Sequence, residues 1–540
     1  MITKILCAGL HGIHGFEVTL EADVARQGMP SFSMVGLADG AVRESRDRVL
    51  AALRNSGFRL PPARITVNLA PADRRKAGAA YDLPLALGLL ASSGLLDPTR
   101  LDPGASGAPG TPGTPGNAQG RIMVLGELSL TGEIKPVPGI LPCAILAREL
   151  GVACMLAPEQ NAREAAVVQG VTVYPVRTLG EAVAFCAGQA DIAPAEAEPF
   201  IPETTGFFPD FAEVKGQDHA KRAVEIAAAG GHNILFIGPP GSGKTMLAQR
   251  IPGILPPLSF EEALESSAIH SVAGCIPPGK GLLSRRPFRS PHHTVSHAGL
   301  VGGGSYPRPG EISLAHRGVL FLDEMPEYSK QTLETLRQPL EDGVVSISRA
   351  AGSLAYPADF MLVAAMNPCP CGFYGDSRRS CTCSPNDVAR YRSRISGPLL
   401  DRIDLHVEVP AVDPDTLQST AQGESSASMY ARILAARTIQ NTRYAPFAAE
   451  SNAGAGHDGR RICRTNADLS GSLLEEFCRL DTESAVFLRR AIDTLALSAR
   501  AYTRILRISR TVADMDGEEH IRLPHIAEAI NLRTLDREQA

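Results

Sequence analysis

Gly238-Pro239-Pro240-Gly241-Ser242-Gly243-Lys244-Thr245 gathers three glycines, one amine and two hydroxyls within eight residues. The apolar stretch Ile234 to Ile237 precedes it, and the run from Met246 onward favours a helix. This is the pattern G-x-x-x-x-G-K-[ST] in a strand–loop–helix setting. Its glycines let backbone N–H groups turn inward around phosphate oxygens, helped by the positive end of the following helix. Lys244 supplies a cation for β- and γ-phosphates, and the Thr245 hydroxyl supplies a ligand for Mg²⁺. The chemistry implied is the gripping of ATP.

Hydrolysis needs further groups, and the chain offers them in order. GVLFLDEMPE is a short apolar strand ending on Asp323 and Glu324. Ligands bind at the carboxyl edge of parallel sheets. There Asp323 would hold Mg²⁺ through water, and Glu324 would orient and polarise the attacking water. FMLVAAMNP is another apolar strand, ending on Asn367. An amide at a neighbouring strand end would bond both the γ-phosphate and the lytic water, although Asn-Pro is also a common turn starter. SGPLLDRIDLHVEVP places Arg402 between a short helix and a strand. From there it is expected to face the phosphates of a neighbouring subunit as an arginine finger. Arg500 would reach the γ-phosphate from a helical lid, with Arg504 as the rival position.

Directly behind Asn367 stand Cys369, Cys371, Cys381 and Cys383, spaced C-x-C-x₉-C-x-C. Four thiolates in one loop can close a tetrahedral Zn²⁺ shell, although C-x₂₋₄-C pairs are more usual. Free thiols and a redox disulfide are the other two readings, and the spacing leaves all three open. Any metal here would be structural.

These residues need elements to position them. At 540 residues the chain exceeds one ordinary core, so about two to four domains are expected. A hydrophobic content of 44% and a charged content of 21% fit a globular protein without membrane spans. The start of the chain carries no long apolar region with a small-residue cleavage site, so neither export nor membrane insertion is expected. Eleven cysteines, an odd number, argue against a full disulfide framework and favour a reducing cytoplasm. The net charge of −5 does not announce a nucleic-acid binder.

The segment 102–120, rich in Pro, Gly, Ser and Thr, reads as a disordered insertion flanked by β-like stretches of one domain. Residues 188–206 read as a linker, and Ala448 to Thr465 as a surface loop. The expected domains are therefore 1–187, α/β; 207–410, α/β; and 411–540, helical. In the last of these, apolar residues from Leu488 to Val512 recur at helical spacing, with Gly517 as a stop.

The phosphate loop, GVLFLDE, AAMNP, LLDRIDL and a helical C-terminal region, in that order, resemble an AAA+ ATPase of the magnesium-chelatase-like branch. The segments PHHTVSHAGLVGGGSYPRPGEISLAHRGVLFLDEMPE and LRQPLEDGVVSISRA strengthen the resemblance. The N-terminal stretch from Met29 to Leu90 is similar to the ribosomal-S5-like, Lon-protease-like domain fused to this ATPase in the YifB/ComM family. The resemblance implies an AAA+ P-loop core with a helical C-terminal lid, a hexameric ring using ATP and Mg²⁺, and DNA as partner. The activity it implies is a helicase promoting branch migration during natural transformation. A metal-insertion ATPase or a protein-remodelling ATPase is the alternative.

Lon-type proteolysis needs a serine and a lysine, and the matching positions here read Ala80, with Asp82 close by, and Leu141. Lys135 lies earlier. No peptidase activity is expected. Two segments would line the pore of a ring: Phe288 to Ser305, with His292, His293 and His297, expected as an insertion in a helix, and a hairpin around Ala351-Gly352 carrying Arg349. The histidines do not follow a standard helix-borne zinc pattern. Arg285, Arg286, Arg378, Arg379, Arg390, Arg392 and Arg394 are candidate phosphate contacts, against the plainer reading of a solvated surface.

Overall fold

Every second residue of the strand His14–Ala25 is buried from Phe16 to Val24, the period of a sheet with one face on a core. A computed structural model describes the chain except residues 1, 26–28, 38, 102–120, 204–207, 305–307, 350–351, 377, 419–422, 454–462, 496, 534 and 536–540. It divides into two compact units, 1–201 with 260–284, and 202–259 with 285–540.

The first unit is built on a seven-stranded sheet, in the order Ser31–Val35, Arg64–Ala70, His14–Ala25, Ile2–His11, Ile122–Val124, Cys154–Pro158, Thr172–Val176. Ile2–His11 and His14–Ala25 form an antiparallel hairpin in which His11 opposes His14. Its two-residue turn needs the positive φ of Gly12, 65°. Ile122–Val124 and Cys154–Pro158 pair in parallel and are buried throughout, as strands covered on both faces are. The expected insertion, 102–120, lies outside the described residues. The strands Arg64–Ala70 and Ile122–Val124 on either side of it belong to the same sheet.

Helix Asp82–Ser92 is buried along its whole length. Asp82, wholly buried, is held by Arg48 Nε and Nη2 at 2.9 and 3.2 Å and by the N–H of Leu128 at 3.2 Å. Helix Phe260–Ala273 also belongs to this unit. Ala268 joins its core, the N–H of Gly139 donates to Ser271 O at 2.9 Å, and the N–H of Leu141 donates to Ser271 Oγ at 3.4 Å.

The second unit carries a five-stranded sheet in the order Phe288–Arg289, Val319–Leu322, Met361–Met366, Ile234–Ile237, Leu405–Glu408, and every pairing is parallel. Helix Asp218–Gly230 and the helices Ser426–Ala453, Ala499–Met515 and Leu523–Asn531 share one apolar core with that sheet. Inside it, Asp514 receives Nη1 and Nη2 of Arg443, Nε of Arg510 and Nδ2 of Asn466, so the buried carboxylate is fully partnered.

Two expectations change here. The helix from Ser426 continues to Ala453, past Ala448, because Ala-rich sequence carries it through; 454–462 lie outside the described residues. The apolar pattern from Leu488 to Val512 is split between helices Thr482–Thr494 and Ala499–Met515, the second capped by Ser498 accepting from the N–H of Ala501 at 3.2 Å. Gly517, at φ 72°, follows its end. No helix among the described residues is long and apolar enough to cross a membrane.

Candidate nucleotide site

Parallel pairing with Ile237 opposite Met366 and Leu322 opposite Ala364 brings three strand ends together. Gly238, Asp323 and Asn367 are therefore neighbours. Gly241 and Gly243 sit at φ 79° and 96°, which frees the loop backbone to curl inward, and no side chain caps helix Lys244–Arg250 behind it. Gly238 has no room for a Cβ, which would lie 2.1 Å from Val409 O.

Lys244 Nζ donates to Gly238 O at 2.7 Å, Pro239 O at 2.9 Å and Asn367 Oδ1 at 3.3 Å. Burial lowers its ammonium to about 8, against the opposing pull of Asp323 and Glu324. Thr245 Oγ1 donates to Asp323 Oδ2 at 2.8 Å, while Asp323 Oδ1 accepts from the N–H of Glu324 at 2.9 Å. Glu324 adopts φ 50°, ψ 45°, a left-handed conformation that costs a residue with a side chain on the order of 1–3 kcal/mol. That turn leaves its carboxylate exposed beside the loop.

His293 was not singled out as part of this centre by its sequence, yet its Nδ1 stands 3.4 Å from Glu324 Oε2 and its ring lies 4.1 Å from that of His292. The segment from Phe288 is not an insertion in a helix. It begins as the edge strand Phe288–Arg289, parallel to Val319–Leu322, so the residues following the two strands meet. That adjacency was the available signal. Tyr328 donates to Pro291 O at 2.6 Å and ties the segment to the residues after Glu324.

The two arginines are elsewhere. Asn233, at the entry of the phosphate-loop strand, donates from Nδ2 to Arg402 O at 3.1 Å. Arg402 thus stands at the amino end of the sheet, about 16 Å from Gly238 at the usual strand rise. Its guanidinium pairs with Glu341 and donates to Pro398 O at 2.7 Å, and its Nε is buried without a partner. Arg500 Nη1 lies 3.5 Å from Asp401 Oδ2, so Arg500 is gathered with Arg402 and not with Lys244. Arg504 is committed to Asp404. Burial would raise that carboxyl, but Arg504 and His232 outweigh it and hold the group far below the usual carboxylate range.

The four cysteine sulfurs lie within 4.8 Å of one another. Of the basic residues, Arg286 donates to Pro256 O, Pro257 O and Arg317 O, and Arg394 pairs with Glu327 at 2.9 Å. Arg285 pairs with Glu203, and Arg392 lies over the Tyr374 ring. Arg378, Arg379 and Arg390 are exposed. Val344–Arg349 and Gly352–Pro357 form the expected hairpin; residues 350 and 351 at its tip lie outside the described residues. In the first unit, Ala80 is half-buried, Leu141 is buried, and Lys135 pairs with Glu133 at 2.8 Å.

Comparison with known proteins bears on this arrangement. Residues 210–417 match the family model "Magnesium chelatase, subunit ChlI", 423–533 match its C-terminal model, and 20–106 with 109–161 match "Subunit ChlI of Mg-chelatase". Competence protein ComM of Haemophilus influenzae is 42% identical over 539 residues, covering 97% of this chain and 96% of its own. YifB of Escherichia coli is 42% identical over 527 residues, with the same coverage of 97% and 96%. This chain belongs to the ComM/YifB family. Its magnesium-chelatase AAA+ domain supplies the parallel sheet and the strand-end cluster, and the region matching the magnesium-chelatase C-terminal model supplies the helices around Arg500. The magnesium-chelatase 38 kDa subunit of Rhodobacter capsulatus is 28% identical over 185 residues, 31% of this chain and 52% of its own.

Proposed function

We propose that this ComM/YifB chain is an ATP-hydrolysing AAA+ motor that works as a hexameric ring on DNA and promotes branch migration during natural transformation. The observation that carries this reading is the division of the site. Lys244, Thr245, Asp323, Glu324 and Asn367 gather at the carboxyl end of the sheet, and Arg402 and Arg500 at the amino end. A triphosphate gripped by the first group is out of reach of the second in the same chain. The guanidinium must then come from a neighbour, and a closed ring completes every site.

Within a site, the turned backbone of the phosphate loop and Lys244 bind the β- and γ-phosphates of ATP. Glu324 draws a proton from the attacking water, and Asn367 orients that water against the γ-phosphorus, giving ADP and phosphate. The Thr245 hydroxyl and the Asp323 carboxylate, 2.8 Å apart, are the hard oxygen donors Mg²⁺ takes; when bound, that ion neutralises charge on the phosphates. His293 positions Glu324. With Ala80 and Leu141 at the positions of a Lon-type dyad, that serine–lysine pair is replaced, and the first unit serves assembly or DNA contact and not proteolysis.

DNA as partner rests on the 42% identity to a competence protein across nearly the whole of both chains, and on the exposed Arg378, Arg379 and Arg390. A cytoplasmic location follows from it. The alternative, metal insertion or protein remodelling, rests on the 28% match, which covers only 31% of this chain. ATP hydrolysis measured with and without forked or four-way-junction DNA, alongside unwinding of that DNA, separates the two. Stimulated hydrolysis with ATP-dependent branch movement is expected; hydrolysis indifferent to DNA, with no unwinding, overturns the DNA motor.

A further inference from the structure

We propose that Cys369, Cys371, Cys381 and Cys383 form a closed structural zinc site that braces the phosphate loop. The sulfurs of Cys369 and Cys371 are 3.3 Å apart, those of Cys369 and Cys381 3.7 Å, and those of Cys371 and Cys381 3.5 Å. A tetrahedral shell with zinc–sulfur bonds of about 2.3 Å has edges of about 3.8 Å. The protein thus presents four sulfurs at nearly the spacing of an assembled shell. A disulfide would bring two sulfurs to about 2.05 Å, and all four cysteines are free thiols. Iron–sulfur clusters spread their thiolates over several irons and hold them farther apart than the 4.8 Å that encloses these four.

The surrounding backbone suits thiolates. The N–H of Tyr374 donates to Cys369 Sγ at 3.3 Å, that of Cys371 to Cys383 Sγ at 3.4 Å, and that of Cys383 to Cys381 Sγ at 3.4 Å. Such bonds disperse sulfur charge and fix its lone pairs. Arg379 and Arg392 stack on Phe373 and Tyr374, at 5.2 and 5.3 Å, putting positive charge on the same loop as a tetrathiolate centre of net charge −2. Soft sulfur ligands select zinc over magnesium or manganese, and four protein ligands leave no open position for substrate.

The bracing follows from what the loop touches, and this half of the proposal rests on the nucleotide reading above. Cys369 is two residues beyond Asn367. Gly372, at φ 88°, packs so closely on the phosphate loop that a Cβ there would lie 2.6 Å from Pro240 Cδ. A cavity of about 160 Å³ has Gly238 and Pro239 on one wall and Tyr374 and Asp376 on another. A closed shell holds the loop against Pro240 and fixes the strand end that carries Asn367.

The test is metal analysis and ATP binding on the full-length protein. One zinc per chain is expected, released by an organomercurial and replaceable by cobalt with the visible bands of a tetrahedral tetrathiolate. The C381S/C383S double variant is expected to lose the zinc, whereas C275S, at an exposed cysteine outside the loop, keeps it. Gly372→Val is expected to keep zinc yet weaken ATP binding several-fold, as zinc removal does. Iron in place of zinc, no metal with four reactive thiols, or zinc retained by the double variant overturns the site. Zinc present with ATP affinity unchanged in Gly372→Val overturns the bracing. Should the double variant not fold, the cobalt spectrum and zinc release of the wild type still decide the site. Failure of the wild type to bind ATP would count against the nucleotide reading, and the zinc content would still be read.

Discussion

The two ends of the parallel sheet in the second unit handle charge in opposite ways. At the carboxyl end, Lys244 rests on the backbone carbonyls of its own loop and donates to Asn367, while Asp323 takes the Thr245 hydroxyl and the N–H of Glu324. At the amino end, three arginines are matched to acids of their own chain: Arg402 to Glu341, Arg500 to Asp401, Arg504 to Asp404. The lesson lies in how tightly each pair is held. Arg504 and Asp404 are both largely shielded, a structural pair, and Arg402 is equally shielded although its partner Glu341 is exposed, whereas Arg500 is more than half exposed. An exposed pair such as Arg500 with Asp401 is worth about 0–1 kcal/mol, so another anion can displace it. In the ring proposed above, a neighbour's triphosphate would be such an anion.

The sharpest way to break this contrast is Arg402→Ala. Turnover is expected to fall about 10³-fold or more with ATP affinity nearly kept, measured by phosphate release and by nucleotide titration. Mixing it with inactive Lys244→Ala chains should restore activity, since each supplies what the other lacks; no restoration would place Arg402 outside the reaction. Glu324→Gln is expected to lower turnover by about 10²- to 10⁴-fold while still binding ATP. Arg504→Ala tests the structural side. It takes the guanidinium from buried Asp404, leaving that carboxylate the Asn233 N–H and His232, and should cost about 3–5 kcal/mol in denaturant unfolding, where Arg500→Ala costs under about 1 kcal/mol.

The smallest effect is a pH dependence. Burial lowers Lys244 to about 8 in the free protein, so its charge is present below that pH and lost above it. Raising the pH from about 7 to about 9 should weaken ATP binding about tenfold, and binding near the upper limit should take up a proton, because phosphates favour the ammonium. Titration calorimetry in buffers of different ionisation enthalpy reads both. An affinity flat across that range would mean that Lys244 keeps an ordinary lysine's charge.

Much of the carboxyl end was legible in the sequence because its signals are local. A strand, a glycine loop and a helix sit within one short segment, and Asp323, Glu324 and Asn367 each end an apolar run. The amino end was not legible. Glu341 and Arg402 are paired by packing across many residues, and nothing near either position announces the other. His293 became visible only once its edge strand was set beside Val319–Leu322. The placement of Phe260–Ala273 in the first unit escaped for a similar reason: a helix between two ATPase motifs carries no mark of which core will bury it.

That helix governs how the protein can be taken apart. The polypeptide passes from one unit to the other at 201/202, at 259/260 and at 284/285, so no single scission yields two whole pieces. A gene fragment ending at residue 201 would encode a unit whose Gly139 and Leu141 amides have lost Ser271, while the remainder would carry the helix Phe260–Ala273 with no seat. Domain dissection of this protein therefore calls for a loop bridging 259 to 285 and a grafted helix, and simple truncations should be insoluble on both sides of the cut.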